Sequence, residues 1–290
     1  MKIVLTGGSG DLGQIVTPIL SNKGYTPVVL DVCPPKDHVQ FVNTSITERT
    51  ALKSALSGND MVVHIAAWHG VHEFRKEKNV YDFWDVNVTG TFNVFQAAVE
   101  SNIKNIIFIS STSIDDRYGL YGHTKVLGEE IARTYAHRHE INVLTLRPRA
   151  FIPHWNRTVY SSYVDWAKWF WKGAVHIDDV AQALTKSVEL LASGVKLEHP
   201  LFLPVDGAYE YTEDDLLHWD KDGPGTTFKK YYPEYYNLAI RHGLDPLQKP
   251  KKIDITETQL VLGYTPKFSL KTLLQELATM EASNTTLENK

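Results

Sequence analysis

Short runs of apolar, largely β-branched residues punctuate the first 150 positions, at Ile3–Leu5, Pro27–Leu30, Met61–Ile65, Ile106–Ile109 and Val143–Leu146. Each is bounded by polar or turn-forming residues and is too short for a helix. Each therefore predicts a strand buried on both faces. Between them, apolar positions recur at helical spacing near 12–22, 47–57, 79–101 and 119–138. Strand alternating with helix predicts an α/β fold, a doubly wound parallel sheet with helices on both faces.

Beyond Arg147-Pro148 the texture changes. Residues 151–172 carry four tryptophans, Trp155, Trp166, Trp169 and Trp171. A helix is predicted after His176, with Val180, Leu184, Val188 and Leu191 on one face and Asp178 and Asp179 in its first turn. Thr256 and Gln259 have the spacing of a capping box, and Leu270, Leu273, Leu274 and Leu277 mark a last amphipathic helix. Residues 219–252, rich in Gly, Pro, Lys and Tyr, read as irregular, and the polar tail 281–290 as frayed. There is no internal repeat. The expected organisation is a nucleotide-binding domain over 1–150, then a small C-terminal substrate-binding lobe over 151–280, interleaved with the last strands and helices of the core.

Composition narrows the class of partner. A formal net charge of −4 offers no basic excess for nucleic acid or an anionic membrane. No apolar run approaches the roughly 20 residues of a membrane helix. The single cysteine, Cys33, permits neither an intrachain disulfide nor a cysteine-rich metal site, and no metal is expected. A cytoplasmic protein fits best.

The first strand runs straight into Thr6-Gly-Gly-Ser-Gly-Asp-Leu-Gly13, which opens a helix. Gly7, Gly10 and Gly13 suit a tight turn, a close approach by a pyrophosphate and close helix–strand packing, and the helix start at Asp11 and Leu12 presents N–H groups to phosphate. Asp31 ends the second strand, 18 residues after Gly13, where a carboxylate accepts ribose hydroxyls and repels a 2′-phosphate. With Val32 and Cys33 following instead of arginine, NAD is favoured over NADP, although Lys36 is near. These features define a Rossmann dinucleotide site.

Tyr121-Gly-His-Thr-Lys125 lies early in the helix after Ile106–Ile109, with tyrosine and lysine four apart on one helical face. A nearby ammonium is expected to lower the phenol pKa toward working pH. The preceding strand ends in Ser110-Ser-Thr-Ser113, which brings hydroxyls to the carboxyl edge of the sheet, where ligands bind in such folds.

The chain resembles an extended short-chain dehydrogenase/reductase, the NAD-dependent epimerase/dehydratase group, closest in build to uronate dehydrogenase-like members. The likeness rests on the Thr6–Gly13 turn, Asp31, Asp60–Ala67, Asn87–Asn93, Ser110-Ser111, Tyr121/Lys125, Arg147-Pro148 and Val175–Val180. It implies Tyr121 as the general base or acid, Lys125 on the nicotinamide ribose, and Ser111 orienting the substrate, with Thr112 and Ser113 as competitors. It also implies Asn87, Ala66 and Ala67 along the cofactor.

Two departures stand out. The family often has an acidic residue that touches adenine at the segment that here reads Asn43-Thr-Ser45-Ile46, where Ser45 and Ile46 stand instead. The loops Ser111–Tyr121 and Arg147–His176 are short, and the second lacks the glycine-rich stretch with an arginine by which nucleotide-sugar epimerases grip the diphosphate, which implies a small substrate without a nucleotide handle. His69, His72, His154 and Arg157 are the candidates to bind it, and the tryptophans read either as a sugar platform or as packing. The leading expectation is an NAD-dependent dehydrogenase of a small sugar or sugar acid. A nucleotide-sugar epimerase or dehydratase with tightly bound NAD comes next, then a non-catalytic NAD-binding regulator. In many relatives the helices corresponding to 79–101 and 119–138 pair across a two-fold axis, so a homodimer is expected, with Phe92, Phe95, Leu127, Ile131 and Tyr135 available to it.

Overall fold

Among the described residues, seven parallel strands form one sheet in the order β3-β2-β1-β4-β5-β6-β7, with β1 Lys2–Thr6, β2 Thr26–Asp31, β3 Gln40–Asn43, β4 Met61–His64, β5 Asn105–Ile109, β6 Asn142–Pro148 and β7 Leu201–Val205. The order reverses between β1 and β4, which is the doubly wound Rossmann arrangement and places a crevice at the carboxyl ends of those strands. The computed structural model describes residues 1–288. Asn289 and Lys290, at the end of the expected polar tail, lie outside the described residues.

The helices are α1 Asp11–Asn22, α2 Arg49–Leu56, α3 Gly70–Phe74, α4 Val80–Phe83, α5 Thr91–Glu100, α6 Leu120–His139, α7 Tyr163–Phe170 and α8 Ile177–Ala192. Five more follow: α9 Glu213–Leu217, α10 Thr226–Tyr231, α11 Tyr236–Arg241, α12 Thr256–Leu262 and α13 Leu270–Glu288. The chain divides into two units. The first comprises Met1–Arg149, Val180–Val205 and Ile255–Tyr264; the second comprises Ala150–Asp179, Asp206–Asp254 and the chain from Thr265 on.

In the first unit, Val4, Val28, Leu30, Val62, Ile106, Phe108 and Val143 of the sheet are buried against Leu52 and Leu56 of α2, Val94 and Phe95 of α5, and Ala132 and Tyr135 of α6. Burying a side chain of this size contributes about 1.5–3 kcal/mol, and the strands carry it on both faces. β7 has no counterpart among the five runs that the sequence marks. Its Pro204 lacks an N–H for a further neighbour, which suits its place at the sheet edge.

Four other expectations need correction. The helix expected over 79–101 is broken. Asn79 caps α4, a π-helical stretch spans Trp84–Gly90, and α5 follows. The wider turn shifts the helical phase so that Asn87 faces inward, and Gly90 leaves room for the Ile46 side chain. The Thr256/Gln259 capping box does not form: Ile255 occupies the cap position of α12, without a side-chain cap. Part of the segment read as irregular is helical, since α10 and α11 lie inside 219–252, and α13 continues through the start of the tail.

The second unit is organised around aromatic residues. Trp166, Phe170, Trp171, Phe228, Tyr232 and Phe268 are buried together with Leu273, Leu274 and Leu277 of α13. The indole N–H groups of Trp166 and Trp171 donate to the carbonyls of Ile152 and Asp245 at 2.9 and 2.8 Å. With their faces buried and their polar ends engaged, these two tryptophans are core. A sugar platform does not include them.

Candidate active site

The glycine turn after β1 has the shape a dinucleotide needs. Gly7 sits at φ +70, and a Cβ there would lie 2.7 Å from the backbone of Ala66. A Cβ at Gly13 would overlap the backbone of Gly8. Gly10 occupies the cap position of α1 in extended conformation and contributes no side chain, and the start of this helix directly after β1 is the element that favours phosphate. The Asp31 carboxylate accepts from Ser9 N and Cys33 N, both at 3.1 Å. Those two bonds leave oxygen lone pairs for a ribose diol. This cradle fits NAD.

The rest of the expected nucleotide wall is present with different emphases. Ala66 N donates to Thr6 O at 3.0 Å, which seats it beside Gly7, and Ala67 follows half-buried. Ser45 is turned to its own loop, sharing a 2.8 Å hydrogen bond with Thr47, while Ile46 is buried and its carbonyl accepts from Asn93. The position of the adenine acid is thus filled by an apolar side chain and an engaged hydroxyl.

Asn87 acts as a clamp. Its Oδ1 accepts from Trp68 N at 2.7 Å, and its Nδ2 donates to Trp68 O and Thr124 Oγ1, both at 3.0 Å. The side chain thereby ties the loop after β4 to α6. Beneath it, buried His64 bridges Thr6 Oγ1 at 2.7 Å and Thr91 Oγ1 at 3.0 Å. Because the Thr91 hydroxyl donates to Asn87 O, His64 Nε2 must be the donor to Thr91 and Nδ1 the acceptor from Thr6. Burial lowers His64 to about 3, with the charge of Lys125 acting in the same direction, so the ring is neutral. A histidine inside an apolar strand gave no sequence signal for this bridge.

Tyr121, Lys125 and Ser111 are brought together at the end of β5. Ser111 caps a short 3₁₀ turn over Thr112–Asp115, accepting from Ser113 N at 3.0 Å, and its side chain is the influence that draws the Tyr121 phenol pKa down. Thr112 lies in that same turn. Lys125 is 4% exposed, and its Nζ donates to Ile109 O at 2.8 Å. It stands 5.8 Å from the Tyr121 ring centroid. Burial, only partly offset by the charge of Glu129, lowers Lys125 to about 7.

The electrostatics reverse one expectation. Burial pushes the Tyr121 phenol up to about 12, and the hydrogen bond from Ser111 is the opposing influence. Lys125 does not lower it here, because its own charge is destabilised by burial and its ammonium is directed at the Ile109 carbonyl.

His69 lies in the same place. Its loop is held by Asn87 on Trp68, and a Cβ on the next residue, Gly70, would stand 3.2 Å from Tyr121 Cδ1. Burial, with the charges of Lys125 and His72 adding to it, lowers His69 to about 4, so the ring is a neutral hydrogen-bonding group. His72 braces the loop by accepting His69 N on Nδ1 at 3.0 Å.

His154 and Arg157 belong to the second unit. His154 packs against the rings of Tyr163 and Trp166, with centroids 5.4 and 5.5 Å away, while Arg157 donates to Ser161 O at 3.3 Å. In the same unit the His176 ring stacks on Phe268 at 4.2 Å, and buried Asp179 accepts from Lys267 N and Phe268 N. That gives the Val175–Val180 motif a structural explanation. Among the described residues, no group of three or more His, Cys, Asp or Glu is placed to hold a metal. No helix among them is long and apolar enough to cross a membrane.

Residues 3–157 match the NAD dependent epimerase/dehydratase family. The chain belongs to that family. It is an NAD-dependent enzyme. The L-arabinose 1-dehydrogenase (NAD(P)(+)) of Haloferax volcanii is 27% identical over 50% of this chain and 65% of its own length. The uronate dehydrogenase of Pseudomonas putida is 26% identical over 52% of this chain and 62% of its own length. The matched region thus spans somewhat less than two thirds of either dehydrogenase. Of the solved structures, MoeE5 in complex with UDP-glucose and NAD superposes with a TM-score of 0.70, covering 98% of this chain and 99% of that one at 19% identity. That likeness concerns the fold.

Proposed function

We propose that this enzyme oxidises a free sugar or sugar acid, passing hydride to NAD. The observation that carries the reading is the convergence of Tyr121, Ser111 and buried Lys125 at the carboxyl end of β5, where Lys125 Nζ donates to Ile109 O. When bound, NAD supplies the hydride acceptor and a positive charge near the phenol. Ser111 orients the substrate hydroxyl, and Tyr121 takes its proton. Lys125 serves both the nicotinamide ribose and the phenol. His69, neutral at the same place, offers a hydrogen bond to a further hydroxyl without the charge that would call for a phosphate. The short loops after Ser111 and Arg147 favour a substrate without a nucleotide, in keeping with the dehydrogenases that match about half of the chain.

The test is NADH absorbance with aldoses, uronic acids and nucleotide sugars. Net NADH formed with a free aldose or uronic acid supports the proposal. A nucleotide sugar converted with no net NADH overturns it in favour of an epimerase.

Cofactor choice follows from Asp31. Asp31→Ala removes charge-assisted hydrogen bonds worth about 1.5–3 kcal/mol. NAD affinity should fall by roughly 10- to 100-fold while NADP changes little, as titration of protein fluorescence would show. Asp31→Asn, which keeps an acceptor for Ser9 N, should lie between. Equal affinity of the unaltered enzyme for both cofactors contradicts the assignment.

We also propose a homodimer through the outer face of the π stretch, α5 and α6. Trp84 and Phe92 are exposed there, and Leu127 and Ile131 are half-buried. Phe95 and Tyr135, expected on that face, instead point into the core. Sedimentation at micromolar concentration should show twice the 32.9 kDa chain mass, and Phe92→Asp should shift the population toward monomer.

A further inference from the structure

We infer that Glu73 is a positioning residue for the proton-transfer tyrosine, acting across the fold on the start of α6. Its Oε1 accepts from Leu120 N at 2.9 Å and its Oε2 from Tyr121 N at 2.8 Å. These are the first two amides of α6, where Gly119 at the cap position provides no side chain of its own. The cap is supplied from α3, 47 and 48 residues away in sequence.

Both oxygens are committed, so the carboxylate fixes the rotation of the first turn as well as its height, and a negative charge there complements the helix dipole. Glu73 is itself anchored. The turn that carries it is closed by His72 N to His69 O, Arg75 N to Val71 O and Glu77 N to His72 O, each at 2.9 Å. The α3 turn also meets the phenol ring, since a Cβ on Gly70 would stand 3.2 Å from Tyr121 Cδ1. At its other end, Asn87 straps Trp68 to Thr124 of α6, and Thr124 Oγ1 donates to Tyr121 O at 2.8 Å. Tyr121 is thus held by backbone N–H, backbone C=O and ring contact. Of these, only the Glu73 contact is an ionisable side chain reaching from outside the motif.

Proton transfer is sensitive to displacements of an ångström or less, whereas binding of NAD through the glycine turn and Asp31 does not depend on the first turn of α6. This inference rests on the sugar dehydrogenase reading above. The experiment measures NADH formation with the active aldose or uronic acid, NAD affinity and melting temperature for the parent, Glu73→Ala, Glu73→Gln and Tyr121→Phe. Glu73→Ala should lower kcat by roughly tenfold, with KM for the sugar and Kd for NAD each within about twofold of the parent. Glu73→Gln, which keeps an oxygen for one of the two amides, should recover most of the rate. A Glu73→Ala enzyme with unchanged kcat, or one in which kcat, KM and Kd all worsen with the melting temperature, overturns the inference while Tyr121→Phe remains inactive. If the parent forms no NADH with any sugar, or Tyr121→Phe keeps full activity, the dehydrogenase reading fails and takes this one with it.

Discussion

Replacing Tyr121 by phenylalanine is expected to lower turnover by roughly 10²- to 10⁴-fold, the range for a positioned acid–base group. NAD affinity should stay close to that of the parent. The change removes one oxygen from a residue that touches neither the glycine turn nor Asp31, and the ring keeps its contact with α3. The protein holds the phenol at about 12 by burial, against the pull of the Ser111 hydrogen bond. At neutral pH the group is therefore a stored proton donor. As a base it depends on a positive charge arriving beside it, so the rate should rise with pH on the alkaline side as the phenol ionises more easily. Ser111→Ala should imitate the tyrosine change more mildly, because the pull toward a lower pKa is lost while the phenol remains. Single-turnover NADH formation separates the chemical step from product release. A Tyr121→Phe enzyme with near-parental turnover would move proton transfer to another group and overturn the mechanism.

The contrast between Tyr121 and Glu73 shows what sequence can carry. The glycine turn, Asp31 and the Tyr121/Lys125 pair are local patterns, in which residues at short fixed spacings adopt one conformation and acquire one chemistry. The five central strands were legible for the same reason, being uninterrupted apolar runs. Edge strands lack that signal. Gln40–Asn43 is half exposed, and Leu201–Val205 contains a proline. Contacts across long separations lack it too. Glu73 on α6, His64 between Thr6 and Thr91, and Asn87 on Trp68 each join residues 19 to 58 positions apart. The π-helical turn is a tertiary compromise, since its apolar pattern reads as an ordinary helix until Ile46 and Asn87 must both be accommodated. The spacing of Tyr121 and Lys125 shows that they are near each other but says nothing of how far each is desolvated, so the expected lowering of the phenol pKa does not follow. Burial outweighs the attraction here.

That burial leads to a second large effect, at Lys125. Its ammonium stands 4% exposed among Phe108, Tyr121 and the end of β5, and its pKa is lowered from 10.5 to about 7. A lysine whose pKa is depressed on folding binds protons more tightly in the unfolded chain. The folded protein therefore carries a penalty that is fully present below about pH 7 and disappears as pH rises toward 10.5. A shift of this size corresponds to at most about 5 kcal/mol. The lost Nζ–Ile109 O hydrogen bond sets about 1 kcal/mol or more against that, since the carbonyl is left without this donor. Lys125→Met, similar in length and without charge, should thus stabilise the cofactor-free protein at pH 6–7 by on the order of 2 kcal/mol, or several degrees in melting temperature. The gain should shrink steadily between about pH 7 and 10, where the parent lysine sheds its proton. The same substitution should weaken NAD binding and lower turnover, because the nicotinamide ribose loses the side chain proposed to hold it. Thermal melts of parent and variant across that pH range, each without cofactor, provide the check. A Lys125→Met protein that melts lower than the parent at every pH would mean that the hydrogen bond to Ile109 outweighs the buried charge and that the lysine is structural as well as functional.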